Sequence, residues 1–265
     1  MAYQVNANVS ALNVYNNLGV HQAKSAASLA RISSGLKAAG GGDVASQGTA
    51  ATLNAATQAT QSSISQVQSA INRLQAADAA LGETIALAQK GIEIASRGTD
   101  AGADLSALHA ALTANSAGIA SISANTQFNG SVLSSTAVTA DVGAATSGVS
   151  ITVTPTFTAA PTVTALVGAG VAANITTTLT AYNTFVEATV DNRAKNAGNI
   201  ASLQNTLQVL NSVAANEMAG IGQAQDTDIA KEMMSLTSAN IMTEAATAML
   251  AQAMQMPNSV LKLLQ

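Results

Sequence analysis

The sequence predicts a mainly α fold: a long antiparallel, coiled-coil-like helical bundle with paired terminal helices and a small β-rich insertion. Three observations lead to this prediction. Apolar residues recur at alternating three- and four-residue steps over most of the chain, which is the spacing of helices that pack on helices. Aromatic residues make up 2% and charged residues 9% of the 265 residues, so small side chains must form closely packed helix interfaces. The helical spacing disappears in one internal segment, residues 133–178.

The first predicted helix covers residues 5–36. On periodicity alone an ordinary surface helix fits this segment, but a matching stripe at the other end of the chain favours pairing of the two ends. The apolar positions are Val5, Val9, Leu12, Leu18, Leu29, Ile32 and Leu36. Gly35 and Gly40–Gly42 then interrupt the pattern and predict a flexible joint, after which Asp43 could cap the next helix. A phosphate-binding loop is not expected, because no Lys-Ser/Thr pair follows the glycines.

A long helical seam follows from residue 64. Its positions in the first long helix include Ile64, Val67, Ile71, Leu74, Leu81 and Ile85, and Asp78 is the one residue that violates the spacing. A shorter helix with Leu105, Leu108 and Leu112 should fold back antiparallel, because its connection to the long helix is short. The spacing resumes at Leu179 and continues through Leu203, Leu207 and Leu210, which predicts another long helix.

The segment between Leu133 and Thr178 differs from the rest of the chain. Its only charged residue is Asp141, and residues 149–154 alternate with period two before Pro155. We expect a small β-rich insertion there. Its many Ser and Thr residues could carry glycans or could simply be the solvated faces of short strands.

The C-terminal segment carries an apolar stripe that continues almost to the last residue. The stripe consists of Met242, Ala246, Met249, Ala253, Met256, Val260 and Leu263, and Ile229, Leu250 and Leu264 are further candidate packing residues. A chain end is normally frayed and polar unless something docks on it. The stripe therefore predicts a partner.

Several classes of function are disfavoured by the residues. A net charge of −4 gives no basic surface for nucleic acid, and no run of about eighteen apolar residues predicts a membrane span. The chain has no cysteine and no visible cleavable signal peptide. His21 and His109 stand alone without a His-Glu-x-x-His motif, so we expect neither an enzyme nor a cofactor or metal site. A membrane-surface helix is disfavoured because residues 226–265 contain only two cationic residues, Lys231 and Lys262.

Motifs at the corners of this layout resemble those of bacterial flagellins. The quoted segments are Val5-Asn6-Ala7-Asn8-Val9-Ser10-Ala11-Leu12, Leu29-Ala30-Arg31-Ile32-Ser33-Ser34-Gly35-Leu36-Lys37, Asn125-Thr126-Gln127-Phe128-Asn129-Gly130, Asp226-Thr227-Asp228-Ile229-Ala230 with Glu232, and Leu250-Ala251-Gln252-Ala253 with Pro257 and Val260. The resemblance covers both ends of the chain and leaves the β insertion unmatched. One departure is the final residue, since the family often ends in Arg and this chain ends in Gln265.

The resemblance implies a domain order. Residues 1–36 and 225–265 are expected to form the inner core, and residues 37–55 a linker. Residues 56–132 and 179–224 should form the outer helical core, and residues 133–178 a surface-exposed insertion.

The resemblance also implies a function. The chain is expected to polymerise with many copies of itself into the hollow extracellular filament of the flagellum. Export without a cleaved signal through the flagellar type III route, an export chaperone, a filament cap and hook-filament junction proteins would go with that role. A hook-filament junction protein and a surface adhesin that uses the same terminal helices are the alternatives.

A further implied partner is the vertebrate Toll-like receptor for flagellin. The corresponding surface contains Gln89, Lys90, Ile92 and Glu93, and Ile92 occupies the place where an arginine is expected beside Glu93. We therefore expect weak stimulation of this receptor.

Overall fold

The computed structural model describes residues 8–133, 137–141, 150–166 and 170–263. The helices are α1 (Val9–Ser34), α2 (Val44–Arg97), α3 (Leu105–Asn125), α4 (Val171–Gln225) and α5 (Ile229–Leu263). The strands, which lie between α3 and α4, are β1 (Gln127–Phe128), β2 (Ser131–Val132), β3 (Val138–Asp141) and β4 (Ser150–Val153). The predicted mainly helical fold with a small strand insertion is confirmed.

The chain divides into two compact units. Unit 1 comprises Met1–Thr57 and Asn216–Gln265, and unit 2 comprises Gln58–Ala215. Both divisions fall inside long helices, within α2 and within α4. Each unit thus contains segments from both halves of the sequence.

The core of unit 2 is a continuous row of small and medium side chains along α2. The row is buried at Thr60, Ser63, Val67, Ala70, Leu74, Ala77, Leu81, Thr84, Ala88 and Ala95. With Gly91, which is also buried, these positions alternate between three- and four-residue steps, so one face of α2 remains covered over many turns. Val67, Leu74 and Leu81 are fully buried, whereas Ile85 is half-buried beside the buried Thr84.

Two apolar clusters fill the space between α2 and its neighbours. In the first cluster, Ile64, Ile71 and Leu74 pack with Leu203 and Leu210 of α4. The second cluster joins α2 to α3 and to the other part of α4, with Leu112, Ile119, Tyr182 and Phe185 among its members. Of the predicted seam residues, Leu207 packs partly buried against the first cluster, and Leu105 and Leu108 against the second.

A polar contact lies along the α2–α4 pairing. Asp78 Oδ1 accepts a hydrogen bond from Arg193 Nε and Asp78 Oδ2 accepts one from Arg193 Nη2, each at 2.9 Å. The carboxylate raises the pKa of Arg193 by hydrogen bonding and by Coulomb attraction. Asp78, which interrupts the apolar spacing, therefore has a bidentate partner on α4.

Tyr182 ties three helices of unit 2 together. Its side chain is fully buried, and its hydroxyl lies 3.2 Å from the carbonyl oxygen of Leu112 and 3.1 Å from Oδ1 of Asn115. Asn115 Nδ2 in turn donates to the Leu87 carbonyl of α2 at 3.0 Å. Gly91 of α2 faces the ring, which leaves no room for a Cβ atom. α3 folds back on α2, as the short connection predicts.

Two small antiparallel strand pairs lie between α3 and α4, of which only β3 and β4 fall within the predicted insertion of residues 133–178. β1 and β2 pair antiparallel through a two-residue turn, in which Asn129 has φ 50° and Gly130 has φ 77°. Positive φ at both turn residues matches the right-handed twist of a tight hairpin, and Asn-Gly is the favoured pair there. β3 and β4 also pair antiparallel, with Val138 opposite Val153.

Residues 154–166 contain no helix or strand and pack against the helices of unit 2. Leu166 is buried in the second cluster, and the Pro161 carbonyl accepts a hydrogen bond from Ser116 Oγ at 2.7 Å. Asn174 Nδ2 donates to the Ala165 carbonyl at 2.7 Å. α4 begins at Val171. The apolar spacing predicts its start at Leu179, eight residues later.

The connection from α1 to α2 in unit 1 is shaped by glycine. Gly35 ends α1 in the left-handed region with φ 72°, and its N–H donates to the Arg31 carbonyl at 2.8 Å. Asp43 then caps α2, because its Oδ1 accepts a hydrogen bond from Ser46 N at 3.1 Å. The Ser46 hydroxyl also donates to Asp43 Oδ2, and this bond, followed by the backbone bond, lowers the pKa of the Asp43 carboxyl.

Candidate subunit interface on the terminal helices

The two connections of unit 1 are hydrogen-bonded to each other. Leu36 and Asp226 form an antiparallel bridge, Lys37 N donates to the Gln225 carbonyl at 2.9 Å, and Thr227 N donates to the Gly35 carbonyl at 2.8 Å. The end of α1 is therefore fixed beside the start of α5. From this point the two helices run side by side and antiparallel.

Polar side chains set the register between α1 and α5. Asn8 Nδ2 donates to the Ala253 carbonyl at 2.7 Å, although the two residues are separated by 245 positions. Ser25 Oγ donates to Asn240 Oδ1 at 2.9 Å. The start of α1 therefore lies beside the later part of α5, and the end of α1 lies beside its start. The predicted pairing of the two terminal helices is present in the structure.

The pairing also contains an ion pair. Arg31 Nε lies 3.0 Å from Glu232 Oε1, and the two side chains are only 21% and 17% exposed. Ser28, one turn before Arg31, is fully buried and its hydroxyl donates to Ser235 Oγ at 3.3 Å. Opposite charges and small polar groups therefore fill the part of the α1–α5 contact next to the connections.

Small residues of α5 face α1 beyond that point. Ala239, Ala246 and Ala253 are buried, and Glu232, Leu236, Thr243 and Leu250 are half-buried on the same three-four spacing. On α1 the half-buried residues include Leu18 and Ile32. The helix contact is narrow, because alanine and serine bury little apolar area each.

Other apolar residues of the terminal helices stay exposed. Among the predicted packing residues, Val9, Leu12 and Leu29 of α1 and Ile229, Met242 and Met249 of α5 are between 49% and 63% exposed. Leu36 is half-buried in the bridge with Asp226. The α5 stripe therefore divides, since Ala246 and Ala253 face α1 while Met242 and Met249 do not.

Exposed apolar residues outside the predicted stripe extend this surface. Met233, Met234, Ile241 and Met254 of α5 are exposed by 47%, 68%, 58% and 64%. Met233, Met234, Ile241 and Met242, with Thr237 and Ser238, line a surface groove of about 450 Å³. We call the exposed apolar residues of α1 and α5 the terminal apolar surface. The members are Val9, Leu12, Tyr15, Val20, Leu29, Ile229, Met233, Met234, Ile241, Met242, Met249 and Met254.

Some predicted packing residues lie beyond this description. Val5 and Leu264 are outside the described residues. Met256, Val260 and Leu263 lie in the last turns of α5, past the residues whose side chains are described.

Comparison with protein families decides what kind of chain carries this surface. Residues 5–139 match the bacterial flagellin N-terminal helical region. Residues 184–264 match the bacterial flagellin C-terminal helical region. The two matches together include α1, α2, α3 and α5 and most of α4.

The chain belongs to the bacterial flagellin family.

Individual flagellins match over short segments. The flagellin of Halalkalibacterium halodurans is 44% identical over 63 residues, which are 24% of this chain and 23% of that protein. Flagellin A of Vibrio cholerae is 41% identical over 63 residues, which are 24% of this chain and 17% of that protein. The flagellin of Bacillus subtilis is 43% identical over 63 residues, which are 24% of this chain and 21% of that protein. The matched segments thus span about a quarter or less of these relatives.

Flagellins are structural proteins. None of the described helices of this flagellin combines the length and apolar character needed to cross a membrane. Its described residues contain no cluster of three or more His, Cys, Asp or Glu side chains placed to bind a metal ion.

The surface predicted to meet the innate receptor lies on α2 of this flagellin. Gln89, Lys90 and Glu93 are exposed and Ile92 is half-buried. Glu93 is paired with Arg97 one turn further along, with 2.5 Å between Glu93 Oε1 and Arg97 Nη2. Both side chains are more than 60% exposed, so the pair adds little to stability.

Proposed function

We propose that this flagellin is a filament subunit whose terminal apolar surface packs against neighbouring copies of the same chain. The observation that carries the proposal is the pairing of the two chain ends through a narrow seam while their large apolar side chains remain exposed. A protein that worked as a monomer would bury such residues in its own core.

The distribution of exposed apolar residues supports this proposal. Among the described residues, all the exposed large apolar side chains except Val190 and Val209 belong to unit 1. Unit 2, in contrast, has two apolar clusters and a continuous buried row along α2. Unit 2 can fold on its own contacts, whereas unit 1 needs additional burial.

Neighbouring copies supply that burial without closing the assembly. A contact between different surfaces of identical chains repeats indefinitely when its rotation does not close a ring. In this arrangement α1 and α5 form the inner layer of the filament, the long helices form the next layer, and the insertion faces solvent. The terminal helices gain their full stability only on assembly.

The rest of the proposed role follows from the family. The filament is extracellular, it grows from subunits exported through the flagellar type III route, and it works as the propeller of swimming cells. An export chaperone that covers the C-terminal helix, a cap at the growing end and the hook-filament junction proteins are the accompanying partners.

The test of the proposal is polymerisation of the purified chain. We expect long tubes in negative-stain electron microscopy after addition of a precipitant salt, and none from a truncation that ends at Gln225. A monodisperse folded particle from both chains would contradict the proposal and favour a junction protein or an adhesin.

A point variant locates the contact on α5. Met249→Asp places a charge on the side that also carries Met242, seven residues earlier. The matched control is Met249→Leu, which keeps an apolar side chain of similar volume at the same position. We expect polymer from the control and none from Met249→Asp, with circular dichroism unchanged in both. Normal polymer yield from Met249→Asp would refute this placement.

We also propose weak stimulation of the vertebrate Toll-like receptor for flagellin. The proposal depends on Ile92, because a half-buried apolar residue cannot replace the charge and hydrogen bonds of an arginine. In a reporter-cell assay, Ile92→Arg should raise the response to purified monomer. Strong activation by the unchanged chain would disprove the assignment of this surface.

A further inference from the structure

The methionines of this chain are concentrated on the surface of unit 1. The chain has eight methionines, and seven of them lie between residues 218 and 256. Met233, Met234, Met242, Met249 and Met254 of α5 are between 47% and 68% exposed, and Met218 of α4 is 56% exposed. Methionine more often fills gaps in a core, where its sulfur is shielded from reagents.

Three of these methionines line a groove that contains no charged residue. The groove on α5 is lined by Met233, Met234, Thr237, Ser238, Ile241 and Met242, none of which carries a charge. The hydroxyl of Thr237 already donates to the Met233 carbonyl at 2.8 Å.

Five of the six methionines of α5 have described, exposed side chains, namely Met233, Met234, Met242, Met249 and Met254, and we call these five the α5 methionines. We propose that they are an oxidation site at which hydrogen peroxide switches off subunit assembly. This inference rests on the proposed function, because it assigns the site to the surface that neighbouring copies cover. The reagent is a peroxide, and no protein cofactor is required.

The reaction is a two-electron oxygen transfer. The thioether sulfur of methionine attacks one oxygen atom of hydrogen peroxide, and the O–O bond breaks. A sulfur–oxygen bond forms to give methionine sulfoxide, while the other oxygen leaves as water after proton transfer. The sulfur is oxidised and the peroxide is reduced.

The sulfoxide opposes assembly for a physical reason. Oxidation converts an apolar, flexible side chain into one with a strong hydrogen-bond acceptor. Burying an acceptor without a donor carries a free-energy cost, so an oxidised surface favours the free monomer. In an assembled filament the same sulfur atoms are covered by the neighbouring copy. Oxidation therefore acts on subunits before assembly and spares the finished filament.

The position of the methionines supplies an internal control. Residues 58–215, which form unit 2, contain no methionine. Peroxide should leave the folding of unit 2 unchanged, so a loss of polymer cannot be attributed to its unfolding. Circular dichroism of the treated monomer checks this directly.

The experiment uses partial oxidation of the full chain. Purified monomer is treated with hydrogen peroxide until about half of the α5 methionines are converted, and the reagent is then removed with catalase. Polymerisation is started with a precipitant salt, and peptide mass spectrometry measures sulfoxide in polymer and in supernatant. We expect sulfoxide at the α5 methionines to be depleted in the polymer and enriched in the supernatant. Equal sulfoxide content in both fractions would overturn the proposal.

Two further arms assign the effect to these residues. A variant with Leu at all five positions keeps the apolar volume without the sulfur, and its polymer yield should not change with peroxide. Reduction of oxidised wild-type monomer by the two methionine sulfoxide reductases should restore polymerisation. Peroxide inhibition of the Leu variant equal to that of the wild type would show that the sensitive group lies elsewhere.

Failure of this inference can be distinguished from failure of the proposed function. If untreated wild-type chain forms no polymer, the filament role itself fails. If untreated and fully oxidised chains polymerise equally, the filament role stands and the oxidation site is rejected.

Discussion

Gly91 of α2 lies directly against the ring of Tyr182 on α4. A Cβ atom at position 91 would lie 2.6 Å from Tyr182 Cζ, and the ring is fully buried with its hydroxyl bonded to α3. Gly91→Ala should therefore destabilise the protein by about 1–3 kcal/mol, the usual cost of overpacking. Chemical denaturation followed by circular dichroism measures this loss.

The matched control for this substitution is Gly82→Ala on the same helix. A Cβ atom at position 82 would lie 4.0 Å from the Arg193 guanidinium, which is ordinary contact distance. Alanine is favoured over glycine inside a helix, so we expect a gain of about 0.5–1 kcal/mol. Destabilisation of equal size at both positions would show that the Tyr182 contact is not the cause.

Tyr182 also makes the free energy of unfolding depend on pH in the alkaline range. Burial raises the pKa of its phenol from 10.0 to about 12, because the phenolate would lose its hydration. The contribution of this group to stability is fully present below pH 10 and is lost as the pH rises from 10 toward 12. The stability of wild type relative to Tyr182→Phe should therefore fall across this window in urea titrations. A difference that is independent of pH from 9 to 12 would contradict this assignment.

Asp78 shows how far single residues can be predicted from the sequence. The apolar spacing identifies Asp78 as an exception, but the spacing says nothing about the partner that accommodates it. That partner is Arg193, which is 115 positions away along the chain. A pairing at such a distance depends on the register between α2 and α4, and register is set by packing of whole helices.

Among the elements, the apolar spacing predicts that α5 is a helix. It does not predict which side of α5 contacts α1, because that depends on the side chains that α1 presents. Ala246 and Ala253 belong both to the predicted stripe and to the observed contact, whereas Met242 and Met249 belong only to the stripe. Ala239, which completes the contact, continues the seven-residue spacing of Ala246 and Ala253 but lies before the start of the predicted stripe at Met242. Because α1 offers Ser25 and Ser28 at this contact, small residues of α5 allow the closer approach.

The narrow contact predicts that α1 and α5 open more readily than α2 in the free chain. The one fully buried residue of α1 is Ser28, whereas α2 has a buried residue at nearly every turn from Thr60 to Ala95. In hydrogen exchange followed by mass spectrometry, amides of α1 and α5 should therefore exchange before those of residues 60–95. In the polymer, the amides of α1 and α5 should be strongly protected from exchange. Equal protection of all helices in the monomer would contradict the prediction that α1 and α5 open first.

For the whole molecule, the order of the helices could be predicted, because a long apolar pattern remains recognisable when a single residue such as Asp78 interrupts it. The path of residues 154–166 could not, since threonine alternates there with apolar residues as in a strand, yet the segment contains no strand and is held by hydrogen bonds such as that from Ser116 to Pro161. The start of α4 at Val171 was missed for a related reason. Its first turns carry Thr176 and Thr177, whose hydroxyls bond back to the preceding turn, and these residues look like loop in a sequence.

The assembled molecule should respond weakly to salt and strongly to cold. α5 carries only four charged residues, Lys231, Glu232, Glu244 and Lys262, and Glu232 is already paired with Arg31 within the chain. Raising NaCl from 0.1 M to 1 M shortens the Debye length from about 10 Å to about 3 Å, which would weaken a filament held by ion pairs. Here we expect the critical concentration for polymerisation, measured by sedimentation, to stay constant or fall in NaCl. On cooling, the critical concentration should rise, because the stabilisation from apolar burial weakens at low temperature. Dissolution of the polymer by 1 M NaCl would show that charges, and not the terminal apolar surface, hold neighbouring copies together.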